Sequence, residues 1–259
     1  MSVTPTLYQN QKLCDAIAKH GNTSRASLGR YVFSKIKVYE DLCIFGKAFI
    51  ENRVCGHINY LARFGHGDDS NGHDIETHNL IRLHCYGIVT TGGQCNKKET
   101  IPASHMVCKR TLLEEQRGYL SFFVPKKDGM AISLLVSLMK DDRVFVISHD
   151  PEEEWTCNNL PFVIDKEKGY NVGFTGINLT RYTFVDDESV QLTTNIWVQE
   201  GEHDMTGELA CEKYPHIQDF LYDCFYIDVT CRDYNADTNC SDIVMEHVVK
   251  LNISRMLAD

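Results

Sequence analysis

The sequence predicts an α+β protein whose mixed sheet is built around one βαβ unit at residues 119–148. Residues 119–124 (YLSFFV) have the composition of a strand, and Pro125 closes it. Residues 130–140 are apolar almost throughout and long enough for a buried helix, while residues 143–148 (RVFVIS) are typical of a buried strand. Because a helix connects the two strands, we expect them to be parallel with a right-handed crossover.

Upstream of this unit the apolar spacing predicts two helices and a strand. Residues 40–52 carry apolar side chains at intervals of three and four. A second helix is expected over residues 74–86, with Asp74 as its N-cap and Gly87 as a left-handed residue that ends it. Residues 88–91 then have strand character.

The second half of the chain is predicted to hold a β-meander and two helices. Strand-like runs occur at 161–164, 179–185 and 190–198, and helical spacing occurs at 216–228 and 242–257. Residues 95–105 are interpreted as a polar connector. We therefore divide the chain into a lead-in at 1–30, an α/β core at 31–155 and a β-rich and helical portion at 156–259 that belongs to the same globule.

Composition and charge exclude several classes of protein. With 43% apolar residues in 259, the chain is of ordinary globular type. Its 26 basic and 36 acidic residues give a formal charge of −10, which opposes binding to nucleic-acid backbones or anionic membranes. No apolar run is long enough to span a bilayer. We therefore expect neither a nucleic-acid partner nor a membrane, and the sequence predicts no oligomeric state.

Cysteine usage indicates a reducing compartment. The count of 11 is odd, and the first twenty residues contain no apolar signal core, so a disulfide framework of the secreted type is not expected. A cytoplasmic location follows from this interpretation. Cys95, beside a glycine turn, is a candidate nucleophile, although a buried and inert thiol is the commoner role of this residue type.

The region from residue 57 to residue 84 is rich in potential metal ligands and general bases. It contains five histidines and three aspartates, namely His57, His66, His73, His78, His84, Asp68, Asp69 and Asp74. Imidazoles and carboxylates suit zinc, manganese or iron, but no H-E-x-x-H spacing is present, so the metal and any cofactor stay unassigned. Asp74 and His78 lie one helical turn apart and are candidate catalytic residues. The alternative is a solvated turn followed by a structural helix.

A second candidate site is the stretch GIVTTGGQC at residues 87–95. Glycines allow a ligand to approach the backbone, and Thr90, Thr91 and Gln94 supply uncharged hydrogen-bonding groups for a polar ligand. The alternative interpretation is an ordinary strand followed by a glycine turn. The spacing fits neither a Walker loop nor a dinucleotide fingerprint.

These motifs also carry a resemblance. An acidic residue, a threonine, a leucine-rich helix, the GIVTT strand and a glutamine precede the βαβ unit that ends in VFVIS; the matching residues are Asp74, Thr77, Leu80, Gly87, Ile88, Val89, Thr90, Thr91 and Gln94. This order resembles an uncharacterised domain family of bacteria and large DNA viruses, over about residues 38–155. The family's Ser-Gln-Pro-Gly is replaced here by Gly93, Gln94, Cys95 and Asn96. The resemblance implies no activity and directs attention to Thr90, Thr91 and Gln94.

Two functional hypotheses follow. In the first, the chain is a hydrolase acting on a small polar or nucleotide-like ligand, in a cleft formed by residues 66–78 and 90–95 together with His149. His149 enters as a catalytic candidate because it follows a buried strand, at the edge where α/β proteins usually bind ligands. In the second, the chain is a non-catalytic binding or assembly protein, such as a virus-encoded accessory factor.

Overall fold

The architecture comes from a computed structural model. It describes residues 10–20, 31–32, 34–51, 53–54, 65–66, 74–105, 109–149, 163–165, 170–172, 178–185, 187–195, 219–220, 222–234 and 237–258. Most of the His/Asp-rich stretch, including His57, Asp68, Asp69 and His73, lies outside these residues.

Helices and strands are both present, which confirms the α+β class. The helices are α1 (Gln11–His20), α2 (Tyr39–Ile50), α3 (Asp74–Cys85), α4 (Met130–Met139) and α5 (Cys240–Ala258). The strands are β1 (Gly65–His66), β2 (Val89–Gln94), β3 (Lys97–Ile101), β4 (Leu112–Gln116), β5 (Tyr119–Pro125), β6 (Val144–His149), β7 (Val163–Asp165), β8 (Tyr170–Val172), β9 (Asn178–Phe184), β10 (Asp187–Asn195) and β11 (Cys224–Cys231). Gly87 has φ +80°, the left-handed conformation expected of the residue that ends α3.

The main sheet has five strands in the order β1-β2-β5-β11-β6. β1 and β2 are parallel, so the sheet is mixed, whereas β2–β5, β5–β11 and β11–β6 are antiparallel. Because β5 and β6 are both antiparallel to β11, they run in the same direction, as the predicted βαβ unit requires. They are not neighbours, however, because β11 lies between them. The result is a split βαβ arrangement.

The helix predicted over residues 216–228 is wrong in its second half, since β11 begins at Cys224. Phe220, Cys224 and Ile227, within the predicted range, are spaced like the apolar face of a helix. Cys224, Ile227 and Val229 are nevertheless buried as strand residues, because β5 and β6 together satisfy the backbone of β11 on both sides. A ladder to two distant strands outweighs a local helical preference.

The five-stranded sheet has two different faces. On the first face, Leu120, Phe122 and Val124 of β5 join Ile227 and Val229 of β11 in a core that α3, α4 and α5 cover. The second face carries the intervening residues of the same strands. Phe123 packs there in a smaller core with α1 and α2. Toward the other end of β5, this second face becomes polar.

The remaining strands form two smaller sheets. β3, β4, β9 and β10 make an antiparallel sheet in the order β10-β9-β4-β3, and β7 pairs with β8. The predicted connector at 95–105 is therefore wrong, because β3 occupies Lys97–Ile101. The predicted meander is also wrong as a continuous unit, since the second neighbour of β9 is β4 and not β8.

No helix in the described part of the chain combines the length and the apolar character that crossing a membrane requires.

Helices α2 and α3 approach closely at Gly46. A Cβ atom built on Gly46 would overlap Cε1 of His84 and lie 2.9 Å from its Nδ1. The His84 ring is 3% exposed, and its Nε2 lies 3.0 Å from Thr90 Oγ1, so it has no room to retreat. Gly46 is thus required by packing, even though glycine is a poor helix former.

We therefore predict that Gly46→Ala destabilises the protein. Overpacking against His84 should cost roughly 1–3 kcal/mol of stability. The higher helix propensity of alanine offsets up to about 1 kcal/mol of that cost. Urea unfolding followed by far-ultraviolet circular dichroism measures the difference. Lys47→Ala is the control, because Lys47 is partly exposed and makes only a long ion pair of 3.9 Å with Glu51. An unchanged unfolding midpoint for Gly46→Ala would contradict the packing argument.

Candidate arginine pocket

Antiparallel pairing of β5 and β11 brings two distant arginines to the same end of the main sheet. Tyr119, which begins β5, is opposite Thr230, near the end of β11. Arg117 therefore precedes β5 at the position where Arg232 follows β11. The backbone there is fixed by hydrogen bonds from Cys231 N to Gly118 O (2.9 Å) and from Arg232 N to Arg143 O (2.8 Å).

A third arginine reaches the same place from the second sheet. Arg181 of β9 is opposite Glu115 of β4, and β4 leads directly into Arg117 and β5. The Arg181 Nε donates to Glu115 Oε2 at 2.8 Å, and its Nη2 donates to the same oxygen. Lys98 lies 3.2 Å from the other oxygen of Glu115. This cross-strand pair positions Arg181 at the junction of the two sheets.

Two aromatic rings stack against the guanidinium groups. Arg117 lies 4.4 Å from the ring centre of Tyr234 and 5.4 Å from that of Phe145. Arg181 also lies 4.4 Å from Tyr234, and Arg232 lies 4.5 Å from Phe145. Phe145 of β6 is opposite Thr230, so it lies on the second face of the sheet. Cation–π contacts of this kind favour guanidinium groups over ammonium groups.

The three arginines meet at an open cavity of about 500 Å³, which we call the arginine pocket; Arg117, Arg181, Arg232, Asp233 and Tyr234 line it. Among the described lining residues, three guanidinium groups face one carboxylate, so this part of the pocket is positive in a chain of net charge −10. The Arg117 Nη1 lies 3.4 Å from Cys231 O, a long hydrogen bond. The Arg117 Nε is buried and finds no acceptor within the described part of the chain.

A polar row continues from the arginine pocket along the second face. Tyr119, Ser121 and Asp228 lie on this face, and the Ser121 hydroxyl donates to the Asp228 carboxylate. Burial raises the pKa of Tyr119, and the nearby carboxylate of Asp228 raises it further. Tyr119 is therefore a neutral hydroxyl at physiological pH. The row places the Asp228 carboxylate and the hydroxyl groups of Ser121 and Tyr119 beside the three arginines of the pocket.

Of the sequence-predicted site residues, Thr90, His78 and His149 lie away from the arginine pocket. Thr90 is buried on the first face against His84, and His78 is exposed on α3. His149 ends β6 opposite Tyr226 of β11, Tyr226 is opposite Phe123 of β5, and Phe123 is opposite Val89 of β2. His149 and β2 are therefore three strand spacings apart, or about 14 Å. The structure thus brings Thr90 to His84 but not to His149.

The other predicted residues are placed by their backbone alone. Asp74 begins α3, Thr91 occupies a register shift between Thr90 and Gly92, and Gln94 is opposite Tyr119 at the polar end of the sheet. The side chains of Asp74, Thr91, Gln94 and His149 lie outside the described part of the structure. Their predicted roles stay predictions.

The cysteine and metal hypotheses find little support in the described residues. Cys95 is 4% exposed, as expected of a buried thiol. Among the side chains that the structure describes, no three histidine, cysteine, aspartate or glutamate residues are placed to hold one metal ion.

A serine, a histidine and an aspartate do meet outside the arginine pocket. Ser137 Oγ lies 2.5 Å from His247 Nδ1, and His247 Nε2 lies 2.8 Å from Asp141 Oδ2. Arg143 donates to both oxygens of Asp141 and also to Glu246. Ser137 is near the carboxyl end of α4, where the helix dipole disfavours a developing negative charge. We interpret this network as a bridge that joins α4 to α5.

This bridge predicts a pH-dependent contribution to stability. Burial raises the pKa of Asp141, but hydrogen bonds from Arg143 and His247 outweigh that effect and leave the pKa well below its usual value. A carboxyl group with a depressed folded-state pKa stabilises the fold above its unfolded pKa and loses that contribution as the pH falls. We expect Asp141→Asn to lower the free energy of unfolding by roughly 1–2 kcal/mol at pH 7.

The difference in the free energy of unfolding between Asp141→Asn and wild type should narrow below about pH 4, where the Asp141 carboxyl group of the unfolded chain becomes protonated. Urea unfolding at pH 3, 5 and 7 measures it. Asp142→Asn is the matched control, because Asp142 is adjacent and exposed. A difference that is the same at all three pH values would show that the carboxylate charge does not stabilise the bridge.

Comparison with known proteins adds no family: the sequence matches no protein-family model and no curated protein. The resemblance to an uncharacterised domain of bacteria and large DNA viruses therefore stays a prediction.

Proposed function

We propose that this protein binds a small, phosphate-bearing, nucleotide-like ligand in the arginine pocket. The observation that carries the proposal is the convergence of Arg117, Arg181 and Arg232 on one cavity of about 500 Å³. Guanidinium groups present paired N–H donors that match the oxygens of phosphate. The hydrogen bond of 3.4 Å from Arg117 Nη1 to Cys231 O helps to hold that guanidinium group at the pocket.

Size and charge favour a small ligand over a nucleic acid. The cavity volume falls in the range of small-molecule sites, roughly 300–1,000 Å³. A formal charge of −10 repels an extended polyanion, whereas a single phosphate group interacts mainly with the charges nearest to it. The acidic chain therefore disfavours nucleic acid without weakening the local site.

The remainder of the pocket supports a hydroxylated ligand. Asp233 lines the cavity, and Asp228, Ser121 and Tyr119 continue from it along the second face. Carboxylates accept hydrogen bonds from sugar hydroxyls or amino groups, and the hydroxyls both donate and accept. A phosphate at the arginines and a sugar-like portion toward Asp233 or Asp228 would satisfy both kinds of group.

Binding, not hydrolysis, is the proposed activity. Phosphate-ester hydrolysis needs a positioned base or nucleophile within hydrogen-bonding reach of the reacting atom. Among the described residues that line the pocket, Asp233 is the one carboxylate, and no partner that would activate water is described for it. The Ser137–His247–Asp141 network belongs to the helices on the first face of the sheet, so it does not serve the arginine pocket.

We predict that a nucleoside monophosphate binds more tightly than inorganic phosphate, and that the matching nucleoside binds far more weakly than either. Isothermal titration calorimetry at low and at moderate salt measures all three. Replacing Arg117 by Gln should weaken binding of the monophosphate about tenfold or more, because a charged hydrogen bond contributes about 1.5–3 kcal/mol. The affinity of Arg117→Lys should fall between those of the wild-type and Arg117→Gln proteins, since lysine keeps the charge but loses the paired donors.

Arg53→Gln is the control for net charge, because Arg53 is exposed at the end of α2 and pairs with Glu51. Thermal unfolding of each variant establishes that it is folded. Equal affinity of the Arg117→Gln and Arg53→Gln proteins for the monophosphate would overturn the proposal. So would equal affinity of the wild-type protein for the nucleoside and its monophosphate.

A further inference from the structure

Two buried thiols are in contact beside the arginine pocket. Cys231 ends β11 and Cys240 begins α5, and their sulfur atoms are 3.1 Å apart. Neither forms a disulfide, and their exposures are 0% and 1%. The segment that joins them, residues 232–239, contains Arg232, Asp233 and Tyr234 of the pocket lining.

The surroundings of the two thiols differ in a way that suits reaction between them. The Cys240 sulfur lies 3.2 Å from Gly118 O, and the Cys231 sulfur lies 3.7 Å from Thr238 O. The hydrogen bond from Cys240 lowers the pKa of Cys231 despite its burial, and the Arg117 guanidinium lowers it further. Burial instead raises the pKa of Cys224, on the same strand, to about 12. A thiol reacts as its thiolate, so the lowered pKa favours Cys231 as the attacking sulfur.

We propose that Cys231 and Cys240 form a reversible disulfide site that responds to a small peroxide. The Cys231 thiolate attacks one oxygen of hydrogen peroxide: an S–O bond forms, the O–O bond breaks, and the departing hydroxide takes up a proton to become water, which leaves a sulfenic acid on Cys231. The Cys240 sulfur then attacks that sulfur, the S–O bond breaks, and a second water leaves. Two thiols are thereby oxidised by two electrons and one peroxide is reduced to two waters, and an added dithiol reverses the change.

A metal site is a weaker explanation of the same pair. Structural zinc uses four ligands, and within the described residues no third histidine, cysteine, aspartate or glutamate joins these two. The two sulfur atoms are in contact here, whereas two thiolates that bind one metal ion stay farther apart, because their negative charges repel each other. The geometry therefore favours a direct bond between the sulfurs.

The disulfide would close a short loop that carries part of the pocket lining. Closing a loop of about ten residues restricts the unfolded chain, so the oxidised protein should unfold at a higher temperature, by roughly 5 °C. It would also hold Arg232, Asp233 and Tyr234 more rigidly. The effect on the pocket rests on the proposed function. Disulfide formation does not, because it is detected directly as a covalent bond between the two cysteines.

The test is to expose the folded, reduced protein to hydrogen peroxide, block the remaining thiols by alkylation and digest with trypsin. A bridge between Cys231 and Cys240 would join the peptides 214–232 and 233–250. Because Cys224 also lies in the first peptide, the experiment is repeated with Cys224→Ala, where Cys231 is the one cysteine available there. We expect the joined peptides in both proteins, and their separation after treatment with a dithiol.

Exposed Cys85 reports that the peroxide has acted. Oxidation of Cys85 without any Cys231–Cys240 bridge in the wild-type protein would overturn the proposal, and so would a bridge from Cys231 to a different cysteine. Cys240→Ser should abolish the joined peptides and the rise in unfolding temperature. The decisive measurement, the joined peptides, is made on the wild-type chain, so a folding defect in a variant does not affect it. The outcome of the ligand titrations does not affect it either.

Discussion

The pairing of β11 between β5 and β6 is the contact on which most of the structure depends. It satisfies the backbones of three strands at once and places Ile227 and Val229 in the core that α3, α4 and α5 cover. The same register sets Arg232 beside Arg117 and Phe145 beneath both. Core and pocket therefore have one origin, so a slip of β11 by one residue would exchange its core-facing and pocket-facing side chains together.

Local patterns predicted the elements whose structure is decided locally. The helices near 40–50, 74–85 and 242–257 and the strands of the βαβ unit follow from apolar spacing, capping residues and a terminating proline. β11 was missed because Phe220, Cys224 and Ile227 have helical spacing, whereas the strand conformation of β11 depends on two partners distant in the chain. β3 was missed because most of its residues are charged or polar and exposed. Its backbone pairs with β4, but this pairing does not bury its side chains.

The arginine pocket was missed for a related reason. Arg117, Arg181 and Arg232 are isolated in the sequence, and only the ladders β4–β9 and β5–β11 bring them together. The one local signal was the end of β11, where a cysteine, an arginine, an aspartate and a tyrosine follow one another. The histidine-rich region drew attention by density of residue type, and the described part of it shows His84 used in helix packing against Gly46 and Thr90.

The aromatic rings beneath the guanidinium groups have a kinetic consequence. A long arginine side chain in water samples many rotamers, and ordering it opposes ligand binding. Phe145 and Tyr234 already restrict Arg117, Arg181 and Arg232 by stacking. An anion would then enter a cavity whose cations are in place beforehand, so that association needs no rearrangement of the protein and differences in affinity among ligands would arise mainly in how fast each one leaves.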